Sequence, residues 1–245
     1  MVKNLKYLLF AIPLFAIASW EMDFDDDFAS ASTTKPDVLD GLIAWWKMDE
    51  ASWNGTAGEA FDSISTNTAK AINGAITTNG LINRAGLFDG SNDAFLTDYV
   101  FSHGIGTGSF SWSAWINPKI FSGTPTGSSI MANGTYAPLL YLSASGALVL
   151  YSNGPKPFNA SVTSNQWSHV VMVRTSGVFS AYINGIKTPT SQAFTLNMLN
   201  AKMCIGSHSL GVGGDFFSGT IDDVRIYNRA LSSNEVNTIY QKFKP

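Results

Sequence analysis

The sequence predicts an all-β chain, folded as an antiparallel two-sheet β-sandwich and closed by one short C-terminal helix. Three observations carry this. Apolar residues recur with period two from Val38 onward, Asn-Gly and Ser-Gly pairs punctuate those runs, and only the last segment holds a helix-start signal. In Phe110 to Ile116, Phe110, Trp112, Ala114 and Ile116 share one face, with Ser111 and Ser113 opposite, which predicts a half-buried strand. Gly41 to Met48 reads as an opening strand, and Gly146 to Tyr151 as another that ends at the Asn153-Gly154 turn. Trp167 to Arg174 has apolar residues on both parities, so both its faces are expected to be covered. Ser176-Gly177 leads into Val178 to Ile183, and Asn184-Gly185 turns the chain again. Both residues of Asn-Gly tolerate the positive φ of a tight hairpin. At the end, Ser232-Ser233-Asn234-Glu235 fits a capping box, with Leu231 and Val236 spaced as its hydrophobic staple.

Composition bounds the function classes. Apolar residues make up 45% and charged residues 13%, enough apolar material for a core and too little charge for a disordered chain. The net charge is -3 and no Lys/Arg run occurs, which excludes the basic patch that nucleic acid requires. The lone Cys204 rules out an internal disulfide and sits in apolar Met203-Cys204-Ile205, where it reads as buried filler.

Residues 1–18 read as a signal peptide or an uncleaved N-terminal anchor: Lys3 and Lys6, then an apolar run from Tyr7 to Ile17, then Ala16-Ile17-Ala18 at the exit. The expected location is therefore secreted or extracytoplasmic, with membrane contact only through an uncleaved N-terminus. Residues 19–37 are an acidic and polar linker, since five acids between Glu21 and Asp27 repel one another. The folded domain is expected over 38–245.

Several segments match a family pattern. Gly41 to Glu50 resembles its opening strand, Ala85-Gly86-Leu87-Phe88-Asp89-Gly90-Ser91-Asn92-Asp93 its "G-x-x-F-D-G-x-x-D" segment, and Phe110 to Asn117 its "F-T-I-S-A-W-I-x-P" strand. Gln166 to Val170 resembles its "W-x-H-V" strand and Tyr182 to Gly185 its "Y-V-N-G" turn. Gly219 to Ser232 is similar to its C-terminal signature almost residue for residue. In that order they resemble the laminin-G-like jelly roll of the concanavalin A-like lectin/glucanase superfamily. The resemblance implies a concanavalin A-like sandwich, a carbohydrate-binding or cell-surface role, and in some members a structural calcium.

Catalysis is not expected. Glucanases of this fold place alternate carboxylates on one strand, whereas this chain has four Glu, and only Glu21-Met22-Asp23-Phe24-Asp25 approaches that spacing, within the acidic linker. Glu235 is explained as a helix cap. His103 and His208 lie in Gly/Ser-rich loops and His169 at a family strand position; no Gly-x-Ser-x-Gly elbow occurs. The leading expectation is a non-catalytic lectin-like protein that binds a polysaccharide or glycan. The alternatives are a structural or adhesive surface or virion protein that uses the sandwich for protein contacts, and, third, a glycoside hydrolase.

Two sets of candidate site residues follow. Sugar rings stack on exposed aromatics, which nominates Trp53 in Ser52-Trp53-Asn54-Gly55 and Tyr136 in Asn133-Gly134-Thr135-Tyr136, with Phe158 and Phe216 behind them. Asp222 shares parity with Val224 and Ile226, so strict alternation turns its carboxylate inward, where it needs a partner. Asp49 and Asp62 could join Asp222 around a structural Ca2+, a cation that accepts carboxylate and carbonyl oxygens.

Overall fold

The computed structural model describes residues 37–100, 108–123, 127–134, 138–195, 200–208 and 215–245. The expectations for the signal segment, for most of the acidic linker, and for His103 and Tyr136 lie outside the described residues. In chain order the strands begin with β1 Leu42–Trp46, β2 Ala60–Phe61, β3 Thr68–Ile72, β4 Ile76–Asn79, β5 Arg84–Asp89 and β6 Ala94–Val100. Next come β7 Phe110–Ile120, β8 Ser128–Asn133, β9 Leu139–Leu142, β10 Ala147–Tyr151, β11 Pro155–Ser161 and β12 Ser168–Thr175. The remainder are β13 Val178–Ile183, β14 Ile186–Lys187, β15 Gln192–Ala193, β16 Lys202–Ile205, β17 Ser218–Tyr227 and the helix α1 Ser233–Phe243.

The strands form two antiparallel sheets. One has nine strands along β14-β13-β12-β7-β17-β5-β4, with β1 also on β17 and β15 on β13; the other runs β11-β10-β9-β8-β16-β6-β3-β2 through eight. Their facing side chains make one core that includes Trp46, Phe88, Phe95, Trp112, Ile116, Met172 and Ile226. The hairpin signals hold: Asn153, Gly154, Asn184 and Gly185 all adopt positive φ.

The alternation of β7 comes out as read, with Phe110, Trp112, Ala114 and Ile116 in the core. Its other face is a correction. Ser111 and Ser113 are buried too, because α1 lies over this part of the sheet. Ser111 Oγ donates to the Arg229 carbonyl at 2.9 Å and accepts from the Leu231 amide at 2.9 Å; Ser113 Oγ meets His169 Nε2 at 2.8 Å. The rings of Trp115 and His169 stack with Tyr240 of α1, which carries that cover across β7 and β12. The helix is capped as the sequence requires, with Ser232 Oγ accepting from the Glu235 amide and the Glu235 carboxylate accepting from the Ser232 amide. Leu231 and Val236 are buried together beneath it.

One ionic clamp ties the first described residue to the last turn. The fully buried Arg225 guanidinium reaches Asp37 and Asp223, and Lys242 Nζ donates to the same Asp37 at 2.8 Å. The Arg225 guanidinium lies 4.2 Å from the Trp45 ring centroid, and Trp45 Nε1 donates to Asp223 at 2.6 Å.

Candidate functional site

Helix α1 covers only part of the outer face of the nine-stranded sheet. Among the described residues no element covers the portion built from β4, β5, β17 and β7. Register fixes what lines it: Ile76 pairs with Leu87, Leu87 with Thr220, and Thr220 with Asn117. Since Ser168 pairs with Ile116, the preceding Trp167 continues this row beside Asn117. The row crosses the strands as a shallow trough, formed by a depression of about 250 Å³ that includes Trp167 and Asn165 and one of about 320 Å³ that includes Ile76. Leu87 and Lys119 line both, so the two are continuous. A third, of about 150 Å³, shares Asp89 and Ser218 with the second and leads to Ile120 and Phe216.

The chemistry of the trough is mixed, with charges of both signs in its lining. Trp167 is half-buried and its loop is pinned by the Asn165 amide, which donates to the Pro118 carbonyl at 2.7 Å. Asn117 Oδ1 is buried and accepts no hydrogen bond from the described residues. Lys119 and Asp89 are exposed and opposite in sign. Asp93 is buried against the same turn as Asp89, accepting its amide at 2.9 Å, and burial holds its carboxyl above the ordinary aspartate range. These two acids come from one turn.

A second polar centre lies at the β4–β5 turn. Asp222 is fully buried, but straight alternation does not put it there. A bulge between Asp222 and Arg225, with Asp223 at φ 50°, switches the parity of β17: Ile221 faces the core before it, Val224 and Ile226 after it, and Thr220 turns to the trough. Asp222 therefore points to the turn, where its Oδ2 accepts from the Leu81 and Ile82 amides at 3.1 and 2.9 Å. Gly80 is required at this turn, because a Cβ would stand 2.5 Å from the Arg84 carbonyl oxygen and 2.7 Å from Asp222 Oδ2. Asp222 Oδ1 is buried and has no hydrogen-bond partner within 3.5 Å among the described residues. Burial, then the nearby Asp223 and Asp49 charges, push its carboxyl up to about 8 against opposing amide bonds from Ile82 and Asp223. Asp49 holds the other side of the turn, accepting from the Arg84 amide at 3.1 Å and the Asn83 side-chain amide at 3.2 Å.

Asp62, expected beside these two, is elsewhere. Its carboxylate is occupied by the Trp45 and Ile64 amides, Ser65 and Asn67, which cap the turn after β2. Among the described residues no three His, Cys, Asp or Glu side chains converge as a metal group. The donors that do suit a hard cation are the unpaired Asp222 Oδ1 and the neighbouring Asp49.

Trp53 is likewise corrected. It is 5% exposed, its ring lies 4.6 Å from that of Phe95, and its Nε1 donates to Glu50 at 3.1 Å. The ring sits over Gly86, where a Cβ would come within 2.9 Å of it, so its loop folds inward and offers no open stacking face. Phe158 is fully buried and Phe216 half-buried. His169 is buried and held neutral, its pKa pushed down to about 3 by burial and then by Arg225. His208 is buried within 3.5 Å of Asp215.

Comparison with known proteins follows this architecture. Among solved structures, domain 4 of AbnA, a GH43 extracellular arabinanase from Geobacillus stearothermophilus, in complex with arabinotriose, is similar at TM-score 0.63 and 19% identity; the match covers 82% of this chain and 98% of that one. A Trypanosoma rangeli sialidase in complex with the inhibitor DANA matches at TM-score 0.61 and 18% identity, over 86% of this chain and 35% of the sialidase. A botulinum neurotoxin type C structure, whose cell entry depends on two ganglioside molecules, matches at TM-score 0.62 and 14% identity, over 84% of this chain and 52% of that one. No curated protein matches by sequence. The family model described as the concanavalin A-like lectin/glucanase superfamily matches residues 89–237, more than half of the chain. The chain belongs to the concanavalin A-like lectin/glucanase superfamily.

Proposed function

We propose that this protein is a non-catalytic, exported glycan-binding module whose site is the trough across β4, β5, β17 and β7. The observation that carries the reading is its lining. The half-buried indole of Trp167 and the apolar Leu87 flank the hydroxyl of Thr220 and the amide of Asn117 in a single row, with the Asn165 amide lining the same depression. Sugar rings present an apolar face for stacking and a rim of hydroxyls for hydrogen bonding, and this row offers partners for both. The arabinotriose and ganglioside connections of similarly folded proteins support the same class of ligand. The basic and apolar start of residues 1–18 supports export.

A cation forms the second part of the proposal. Asp222 and Asp49 would hold Ca2+, and Asp62 would not. Calcium would supply the charge that the unpaired Asp222 Oδ1 lacks and fix the β4–β5 turn, whose preceding residues Thr78 and Asn79 border the trough. Its role there is structural.

The test is a polysaccharide and glycan panel, screened with calcium and with chelator, and assayed in parallel for released reducing ends. Saturable binding without release is the expected result. Release of product from a bound glycan would replace this reading with a hydrolase, and absence of all glycan binding by folded protein would replace it with a protein-facing surface role.

A further inference from the structure

The dimensions, exits and charge of the trough go further than the class of ligand. We infer that it takes the interior of an uncharged polysaccharide, laid across the strands, rather than a chain end or an anionic glycan. This inference rests on reading the trough as a glycan site.

The row from Ile76 through Leu87, Thr220 and Asn117 to Trp167 crosses four interstrand spacings. At the usual strand separation that is about 19 Å. A sugar unit in an extended chain advances by nearly the distance between strands, so consecutive units fall over consecutive strands. Apolar positions at Ile76, Leu87 and Trp167 then meet ring faces, while Thr220 and Asn117 meet the hydroxyl edges between them.

Neither end of this floor is closed. At one end it runs off the edge strand β4 beside Ile76, which is 49% exposed. At the other end it reaches the half-buried Trp167, flanked by the exposed Asn165 and Gln166, and a side exit past Asp89 and Ser218 leads from the Ile76 half toward Ile120, which is 68% exposed. Recognition of a chain end would need a wall with groups reading the terminal hydroxyls, and these exits provide a path onward instead. The charge balance decides against an anionic polymer. Lys119 stands opposite the exposed Asp89 in a chain of net charge -3, so no excess of cations faces the trough.

The experiment is titration of the full chain, by calorimetry and affinity electrophoresis, with neutral arabinan, mannan and β-glucan and with anionic polygalacturonate and heparin. Oligosaccharides of the bound polymer follow, each before and after borohydride reduction of its end. Affinity should rise with length to about four units, to match the span of the row, and then level off. Reduction of the end should leave it unchanged. Trp167→Ala should weaken binding about tenfold or more, and Thr220→Tyr, which fills the floor from a half-buried surface position, should block it while the protein still melts cooperatively. Binding that Thr220→Tyr blocks, but that needs a free end or an anionic polymer, would overturn this inference and leave the trough as the site. Glycan binding indifferent to Thr220→Tyr, or none at all, would overturn the trough reading itself.

Discussion

Asp222 gives the sharpest quantitative consequence. Its carboxyl is fully buried, one oxygen has no hydrogen-bond partner among the described residues, and its pKa is pushed up from 3.8 to about 8, first by burial and then by Asp223 and Asp49. The folded-state value lies above the unfolded one, so the native protein holds a proton that the unfolded chain releases. The associated stability is complete below pH 3.8 and is lost as pH rises toward 8. At pH 7 the ionising tendency of this group works against the fold by about 4 kcal/mol, and between pH 5 and 8 the loss is also about 4 kcal/mol. For a domain of this size that corresponds to a fall of roughly 10 °C in Tm. The comparison that isolates it is thermal unfolding of wild type and Asp222→Asn at pH 5 and pH 8 in chelator, where other titrating groups cancel. Wild type should lose stability relative to the variant as pH rises. Calcium should restore it at pH 8 in wild type and leave Asp222→Asn unmoved. Parallel pH dependences in chelator would refute the reasoning, since they would mean that Asp222 ionises in the fold as freely as in the unfolded chain.

Other outcomes follow from the same packing. His169, pushed down to about 3, should contribute the opposite slope: stability full above pH 6.5 and lost as pH falls toward 3, with His169→Gln flattening the acid limb of a urea-unfolding series. Trp53→Ala should cost about 3–5 kcal/mol in chemical denaturation, yet leave glycan affinity per folded molecule unchanged, because the ring packs on Phe95 inside the core. Ser232→Ala should cost about 1 kcal/mol, read by the same unfolding assay, through loss of the cap to the Glu235 amide. Arg225→Met should show whether the buried clamp is net stabilising. Removing the guanidinium strips the buried Asp223 of its cation and leaves Asp37 to Lys242, and a loss of about 3–5 kcal/mol in urea unfolding is expected.

The fold was legible because local chemistry and global pattern agree. The alternation of Phe110 to Ile116, the Asn153-Gly154 and Asn184-Gly185 turns, and the Ser232–Glu235 box each specify one conformation within a few residues. The bulge after Asp222 was not legible, since two consecutive aspartates give no sign of where a strand changes parity. Strict alternation buries Asp222 for the wrong reason and misplaces Thr220. Nor could the sequence reveal that the Trp53 loop turns inward, although Gly86, which leaves room for the ring, was the available signal. The trough was invisible for a topological reason. Ile76, Leu87, Asn117, Trp167 and Thr220 come from five separated segments, and only strand register brings them into one row. In the sequence Trp167 reads only as the head of a strand.

The clamp between Asp37, Arg225 and Lys242 also determines how the domain would respond to tension. Force applied between Asp37 and the end of α1 first meets those ion pairs, which join both attachment points directly and bypass the core. Once they part, the load reaches the ladder of β1 on β17 at its Leu42–Tyr227 end, where antiparallel hydrogen bonds open one at a time instead of sharing the strain. A sandwich with an extensive core would therefore peel from its margin under pull, with the trough strands β4, β5 and β7 the later ones to feel it.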